Sequence, residues 1–398
     1  MEADRPFPAF EFDNKILAQG AEISRRLNLL REENFPPDAR KGLRKFAMAE
    51  VARFLGVSPN NLKRLHLEEK GPAPEIASRG RRFYSAEKIL ELRAYLDKHG
   101  KTGAKNYVPH RRDGDKLQVI GVVNFKGGSG KTTTAVHLAQ QLALAGHRVL
   151  ALDLDPQASL SALFGFQPEL DGNPSVYDAL RYDEERRPLS ELISRTNFPS
   201  LDIVPANLEL SEYEFETPLA AQSSREGKLF FTRLSKALEE VDQDYDIVVL
   251  DCPPQLGYLT LTAVTASTSI LITVHPEMLD LMSMSQFLLT LGNFTKSLVN
   301  AGADVEMDWL RYLITRYEPT DIPQAQMLGF MQSMLAEEIL ANQMLKSTAI
   351  SDAGLTKQSL FEIERAKFNR DTYDRAFESM YAVNAEVQEL IHRAWGRT

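Results

Sequence analysis

The segment LQVIGVVNFKGGSGKTTTAVHLAQ, residues 117–140, constrains the fold more than any other stretch of this chain. Its first nine residues are almost continuously apolar, as expected for a parallel strand covered on both faces. Gly127, Gly128 and Gly130 then allow a tight turn, and a helical pattern starts at Lys131. Strand, glycine-rich turn and helix in this order aim backbone N–H groups and a helix N-terminus at one point, which suits phosphate oxygens. Lys131 can reach the outer phosphates, and the Thr132 hydroxyl can ligate Mg²⁺. The expected phosphate cradle is therefore Gly127, Gly128, Ser129, Gly130, Lys131, Thr132 and Thr133. The turn departs from the pattern G-x-x-x-x-G-K-[ST]: Phe125 stands where the first glycine belongs, and Lys126 is an additional lysine.

Downstream, strand and helix patterns alternate. RVLALDLD, LDIVPA, YDIVVLDCPP, TSILITVHP and WLRYLITRYEP read as strands. Helical patterns cover 131–145, with Gly146 ending the first, then 226–240, 279–298 and 321–345. Asp371 is the expected cap of a last helix running to about Trp395. This alternation predicts an α/β fold with a doubly wound, mostly parallel sheet.

A phosphate-binding turn also needs a carboxylate near Mg²⁺ at the end of a buried strand. DYDIVVLDCPP places Asp251 there. In LDLDPQAS, Asp153 and Asp155 fall at a strand end and are expected to point to opposite sides. One is expected to brace the loop. Asp155 is expected to stand near the terminal phosphate, where it positions the attacking water and joins Thr132 and Asp251 around the metal.

Charge is unevenly placed. Residues 1–116 hold 24 Lys and Arg against 17 Asp and Glu, while the remainder holds 22 against 38. A basic N-terminal part on an acidic body suits an anionic partner. The single cysteine, Cys252, excludes a disulfide framework within the chain and any cluster or zinc site held by several of its own cysteines, and fits a reducing cytoplasm. No secretory leader and no apolar run long enough to span a membrane is apparent.

The N-terminal part divides into residues 1–40, 41–105 and a linker at 106–116, ahead of the body at 117–398. Within the first, Ile16, Leu17, Ile23, Leu27, Leu29 and Leu30 fall roughly on one helix face, either a packing helix or a dimer contact. In the second, FAMAEVARFLGVSPNNLKRLHLEE reads as helix, turn, helix. Phe46, Val51, Phe54 and Leu55 belong to the first helix, Gly56 makes the turn, Ser58 caps the second, and Pro59 takes its first position. Asn60, Asn61, Lys63 and Arg64 lie near the start of the second helix, where such side chains meet base edges and phosphates, with Ser58 beside them. Arg79, Arg81 and Arg82 form a basic loop suited to a DNA backbone. A three-helix bundle with a basic loop is the alternative.

KGGSGKTTT, DLDPQAS and DCPP at these spacings resemble the ParA/MinD group of deviant Walker-A ATPases, and its ParA branch in particular. The resemblance covers 117–398. The block before it is similar to a MerR-type winged helix-turn-helix, and the combination looks most like the RepA branch of RepABC plasmid systems. The resemblance implies ATP and Mg²⁺ as cofactors, with Lys126, Lys131 and Asp155 catalytic. It implies a nucleotide-sandwich homodimer in which Lys126 touches phosphate on the partner subunit. Pro253 would lie in a switch that senses the terminal phosphate, and Arg316 and Tyr317 would contact adenine. It further implies DNA segregation by a cytoplasmic, nucleoid-associated protein with no membrane role. A ParB-like (RepB-like) centromere-binding partner would stimulate hydrolysis, and the helix-turn-helix would repress the protein's own operon. Non-specific DNA binding would use basic residues of the ATPase part, with Lys346, Lys357 and Arg370 as candidates. The alternative function is a transcription factor that uses nucleotide only as a ligand. A membrane-associated ATPase would call for a basic amphipathic C-terminal helix, which AVNAEVQELIHRAWGRT does not offer.

Overall fold

The computed structural model describes residues 11–34, 41–100, 107–166 and 174–397. Residues 1–42 and 43–398 form two separate compact units. The first contains helix α1 (Phe12–Asn34), on which Ile16, Leu17, Ile23 and Leu29 are exposed and Glu22 pairs with Arg25 and Arg26. The side chains of Leu27 and Leu30 lie outside the described residues.

The second unit opens with β1 (Phe46–Ala47), α2 (Met48–Leu55), α3 (Pro59–Leu67), β2 (Glu75–Ile76), β3 (Arg82–Tyr84) and α4 (Ala86–His99). Phe46 thus sits on a strand rather than on the first helix, because its main chain pairs with Tyr84 in a small antiparallel sheet ordered β1-β3-β2. Gly56, at φ 62°, ends α2 in the left-handed region where a Cβ is costly. Ser58 then caps α3, its hydroxyl accepting from the Asn61 N–H at 3.2 Å.

The remaining elements are β4 (Gln118–Val123), α5 (Lys131–Leu144), β5 (Val149–Asp153), α6 (Ser159–Leu163), α7 (Val176–Leu180), β6 (Ser194–Arg195), β7 (Leu201–Val204), α8 (Glu212–Ser223), α9 (Arg225–Lys228), α10 (Arg233–Glu239), β8 (Ile247–Asp251), α11 (Tyr258–Ala266), β9 (Ser269–Val274), α12 (Met278–Asn300), β10 (Trp309–Ile314), α13 (Ile322–Leu335), α14 (Thr348–Leu355) and α15 (Arg370–Ala394). Seven strands form one sheet in the order β10-β9-β4-β8-β5-β7-β6, parallel except for the β6–β7 edge. Alternation decides the two cores. Val149 and Ala151 of β5 face a layer containing α5 and α15, whereas Leu150 and Leu152 face the opposite layer with α11 and α12.

Three helical expectations change. The pattern at 226–240 is broken into α9, a short 3₁₀ turn and α10. The pattern at 321–345 stops at Leu335, and the chain beyond it is drawn to the sheet edge by bridges from Ile339 to Tyr312 and Leu345 to Tyr317. The cap of α15 is Asn369, whose side chain accepts from the Thr372 N–H, not Asp371. The linker expected at 106–116 is described from Tyr107 and is firmly held; residues 101–106 lie outside the described residues. Arg111 donates its backbone N–H to Asp246 at 3.0 Å, and Arg397 donates to the Pro109 and His110 carbonyls.

The helix block at 43–99 shares a core with the sheet layer beneath it. Phe54 packs on Phe361 and Tyr381, and Arg53 pairs with Glu378 of α15 at 2.7 Å.

Candidate phosphate and metal site

Sheet register brings the acidic residues together. Asp251, the last residue of β8, is level with Val122 of β4 on one side and Asp153 of β5 on the other. The glycine-rich turn follows β4 directly, so the carboxylates and the phosphate cradle share the C-terminal edge of the sheet, where open α/β sheets hold their ligands. Gly128 (φ 77°) and Gly130 (φ 88°) adopt backbone conformations that other residues reach only with strain. A Cβ on Gly130 would also press against Thr315 at 3.4 Å.

The turn lines a cleft of about 420 Å³. Gly127 to Thr133, Asp155, Ser159, Pro254 and Arg316 form one part of its wall, and Met344 to Ser347, Ile350 and Ser351 form another. Arg316 donates Nη1 to the Gly128 carbonyl at 3.2 Å. Pro254 stands at the wall, with Pro253 buried one residue behind it. Tyr317 reaches the site through its main chain, pairing with Met344 and Lys346.

Asp153 and Asp155 take different positions, but not through strand alternation: residues two apart on a strand share a face, and β5 ends at Asp153, so Asp155 lies in the segment beyond it. Asp153 is fully buried and accepts from the Ser161 N–H (2.8 Å), the Ser161 hydroxyl (2.7 Å) and the Asp155 N–H (3.1 Å), so it braces the loop. Burial raises its pKa to about 7. Asp155 faces the cleft.

Asp251 is also fully buried, yet neither carboxylate oxygen has a hydrogen-bond partner among the described residues. Burial, and then the neighbouring Asp153, hold its carboxyl well above the usual range. A buried, unpartnered carboxylate is costly unless something charged meets it. A hard divalent cation beside the Thr132 hydroxyl fits that need, with oxygen donors and room left for water.

The two lysines differ. Lys131 is buried; its Nζ donates to the Lys126 carbonyl at 3.2 Å, and desolvation lowers its pKa against the pull of Asp251. Lys126 is half-exposed and its ammonium pairs with the buried Asp280 at the start of α12. Phe125 stacks on Phe287 of the same helix, with centroids 5.4 Å apart. The residue that replaces the usual glycine therefore anchors the turn to α12. Neither Asp280 nor Phe287 stood out in the sequence, because both lie within an ordinary helical pattern.

Among the basic residues expected to meet DNA, Lys346 lines the nucleotide-sized cleft instead and pairs with Glu318. Lys357 is half-buried in a left-handed turn (φ 51°), and Arg370 is exposed at the start of α15. Asn60, Lys63 and Arg64 are exposed on α3; Arg64 also contacts the Asn61 side chain. Arg79 and Arg81 are exposed and Arg82 is half-buried on β3. The Ser58 hydroxyl is committed to its cap.

A family model described as an AAA domain matches residues 117–303. A Sinorhizobium fredii protein assigned as replication protein A is 64% identical over 394 residues, covering 98% of this chain and 97% of that protein. The chromosome partitioning protein ParA of Myxococcus xanthus is 37% identical over 202 residues, covering 50% of this chain and 65% of the relative. The crystal structure of cobyrinic acid a,c-diamide synthase from Mycobacterium smegmatis, with a bound ATP analogue and magnesium, superposes with a TM-score of 0.51 at 28% identity, over 61% of this chain and 91% of that one.

Proposed function

The chain belongs to the ParA-type P-loop ATPases, in the group of the rhizobial proteins assigned as replication protein A, and we propose that it is an ATP-driven DNA partition protein that also represses its own operon. The observation that carries this reading is the pairing of two lysines around one glycine turn with an orphaned buried carboxylate, Asp251, at the end of the adjacent strand. Lys131 serves the chain's own nucleotide. Lys126, half-exposed and held by Asp280, serves another's.

Backbone N–H groups of Gly127 to Thr132 and the Lys131 ammonium would bind the phosphates of ATP, and Thr132 and Asp251 would hold Mg²⁺. When bound, Mg²⁺ neutralises phosphate charge and orients the terminal phosphate. Asp155 positions the attacking water from the open side of the cleft. Lys126 leaves Asp280 and crosses a sandwich homodimer to the partner subunit's nucleotide, where a second cation offsets the charge that develops during hydrolysis. ATP occupancy is thereby linked to dimerisation. The dimer binds DNA non-specifically, a ParB-like centromere-binding partner (RepB-like) stimulates hydrolysis, and hydrolysis releases the dimer and resets the cycle. Lys357 and Arg370 remain candidates for non-specific DNA; Lys346 is reassigned to the nucleotide. The block at 43–99 acts as a winged helix-turn-helix, with α3 in the major groove and Arg79, Arg81 and Arg82 on the backbone.

The test is phosphate release by the full chain with and without DNA and the centromere-binding partner. Lys126→Ala should still bind ATP but lose stimulated turnover by at least about a hundredfold. Wild-type stimulated rates in that variant would remove the trans-acting lysine from the mechanism. Asp155→Ala should accumulate as an ATP-bound dimer on sizing. Absence of turnover by the unaltered protein under every condition would favour a nucleotide-regulated transcription factor.

A further inference from the structure

Arg93 of α4 is 6% exposed, yet no carboxylate hydrogen-bonds to it among the described residues. Its guanidinium instead gathers three backbone carbonyls from three parts of the chain. Nε donates to Leu144 at 3.0 Å, Nη1 to Tyr107 at 3.2 Å, and Nη2 to Phe54. Leu144 is the last residue of α5, the helix that starts in the phosphate turn. Phe54 lies in the last turn of α2, just before the turn into α3. Tyr107 begins the described part of the connecting segment.

The electrostatics explain why a cation stands there. Each helix C-terminus presents unpaired carbonyls and a partial negative charge. The ends of α5 and α2 converge on one buried point, and the guanidinium satisfies both. Burial lowers its pKa to about 10, so it stays charged at neutral pH. The surrounding backbone is shaped to admit it. Gly146, at φ 98°, has no Cβ; one added there would stand 2.8 Å from Arg93 Cδ and 3.2 Å from Pro109 Cδ.

We infer that Arg93 couples the nucleotide site to the α2–α3 helix pair, by tying the far end of the phosphate-loop helix to the base of that pair. Helix α5 spans about 21 Å at 1.5 Å per residue, and 12 of its 14 residues are buried. It behaves as a rod, so a shift of its N-terminus on filling the cleft is delivered at Leu144. A fork that holds both helix ends passes the shift to α2 and the turn before α3. A second route runs through α15: the Gln141 amide donates to the Tyr381 carbonyl at 3.1 Å, and Arg53 pairs with Glu378. These contacts are made at the surface of α15, whereas Arg93 bonds α5 and α2 directly. The direction of the effect on DNA rests on the reading of α3 as a DNA helix; the mechanical coupling does not.

The experiment is amide hydrogen exchange on the full chain, without nucleotide and with AMPPNP and Mg²⁺. In the unaltered protein, exchange at residues 48–67 should change by at least about fivefold on nucleotide binding, the lower end of ordinary allosteric coupling. Arg93→Met should bind AMPPNP but reduce that change to less than about twofold. Arg93→Lys keeps the charge and loses the fork, and should show the same loss, so the test survives if the methionine variant folds poorly. An unaltered protein whose 48–67 amides ignore nucleotide, or an Arg93 variant that retains the full response, would overturn the coupling. No DNA enters this measurement. The DNA reading is tested apart from it, by binding of Asn61→Ala/Arg64→Ala to a duplex from upstream of the protein's own gene; unchanged affinity there defeats that reading and leaves the coupling standing.

Discussion

At the scale of single residues, the chemistry of this chain is set by what each charged group is allowed to touch. Lys126 and Lys131 are five apart in sequence and have different fates: one is buried in the turn, the other is half-exposed on Asp280. The paired aspartates illustrate the same point, since Asp153 is consumed by Ser161 while Asp251 is left unpartnered. His147 is a third buried group with a measurable signature. It is fully buried between α5 and β5, Gln388 approaches its Nε2 at 3.3 Å, and its Nδ1 has no hydrogen-bond partner among the described residues. Burial, and then the nearby His392, push its pKa well below 6.5. The unfolded chain therefore takes up a proton that the folded one refuses. Its contribution is fully present above about pH 6.5 and is lost as pH falls, at up to about 1.4 kcal/mol per pH unit for one proton. Burial raises the carboxyls of Asp153 and Asp251, which act in the opposite sense over the same range, so the readout is a difference. Between pH 7.5 and 5.5, denaturant titrations of His147→Gln should lose stability toward acid less steeply than the unaltered protein, by up to about 1.4 kcal/mol per pH unit. A variant with an unchanged slope would assign the acid sensitivity to other groups.

At the scale of elements, helix ends do much of the positioning. Helix α11 begins just past the Cys252–Gly257 segment that leads out of Asp251, and its N-terminus is capped from outside: the Glu214 carboxylate of α8 accepts from the Tyr258 N–H at 2.8 Å and the Leu259 N–H at 2.9 Å. Gly257 is required for this approach, because a Cβ there would lie 2.5 Å from the Glu214 oxygens. Glu214→Ala should cost about 1–2 kcal/mol, the loss of a charged cap, read as a lower denaturant midpoint. No shift would mean that water replaces the cap without penalty. Sequence reasoning located the strands with long apolar runs and the helices with strong punctuation, including the Gly56–Ser58 turn. It missed α6, α7, α8, α11, α14 and the β6 edge, which are short or lack a clear apolar period. It overextended α13, because the apolar residues beyond Leu335 serve the sheet edge rather than a helix face.

At the scale of the whole molecule, the helix block at 43–99 and the acidic body share one core. Residues 43–398 make one compact unit, and Trp395 and Arg397 secure the segment between the two parts by bonding to Lys116, Pro109 and His110. Deleting residues 1–105 would strip α2–α4 from Phe361 and Tyr381 and bare an apolar face, so loss of operator binding in such a truncation could reflect misfolding. Deleting residues 1–42 is the cleaner cut. It should leave the unfolding midpoint and nucleotide affinity of the remainder unchanged, and a shift to smaller species on sizing would identify α1 as a dimer contact. A remainder that unfolds at lower denaturant would show instead that α1 stabilises it. The sequence by itself determined the glycine-rich turn and the alternating fold, because these depend on local spacing and on the periods of strand and helix. Only the tertiary structure decided that Lys126 rests on Asp280, that Lys346 belongs to the cleft, and that Arg93 binds two helix ends at once. Those contacts join residues from 28 to 154 positions apart, and no local period records which distant carbonyl or carboxylate a side chain will meet.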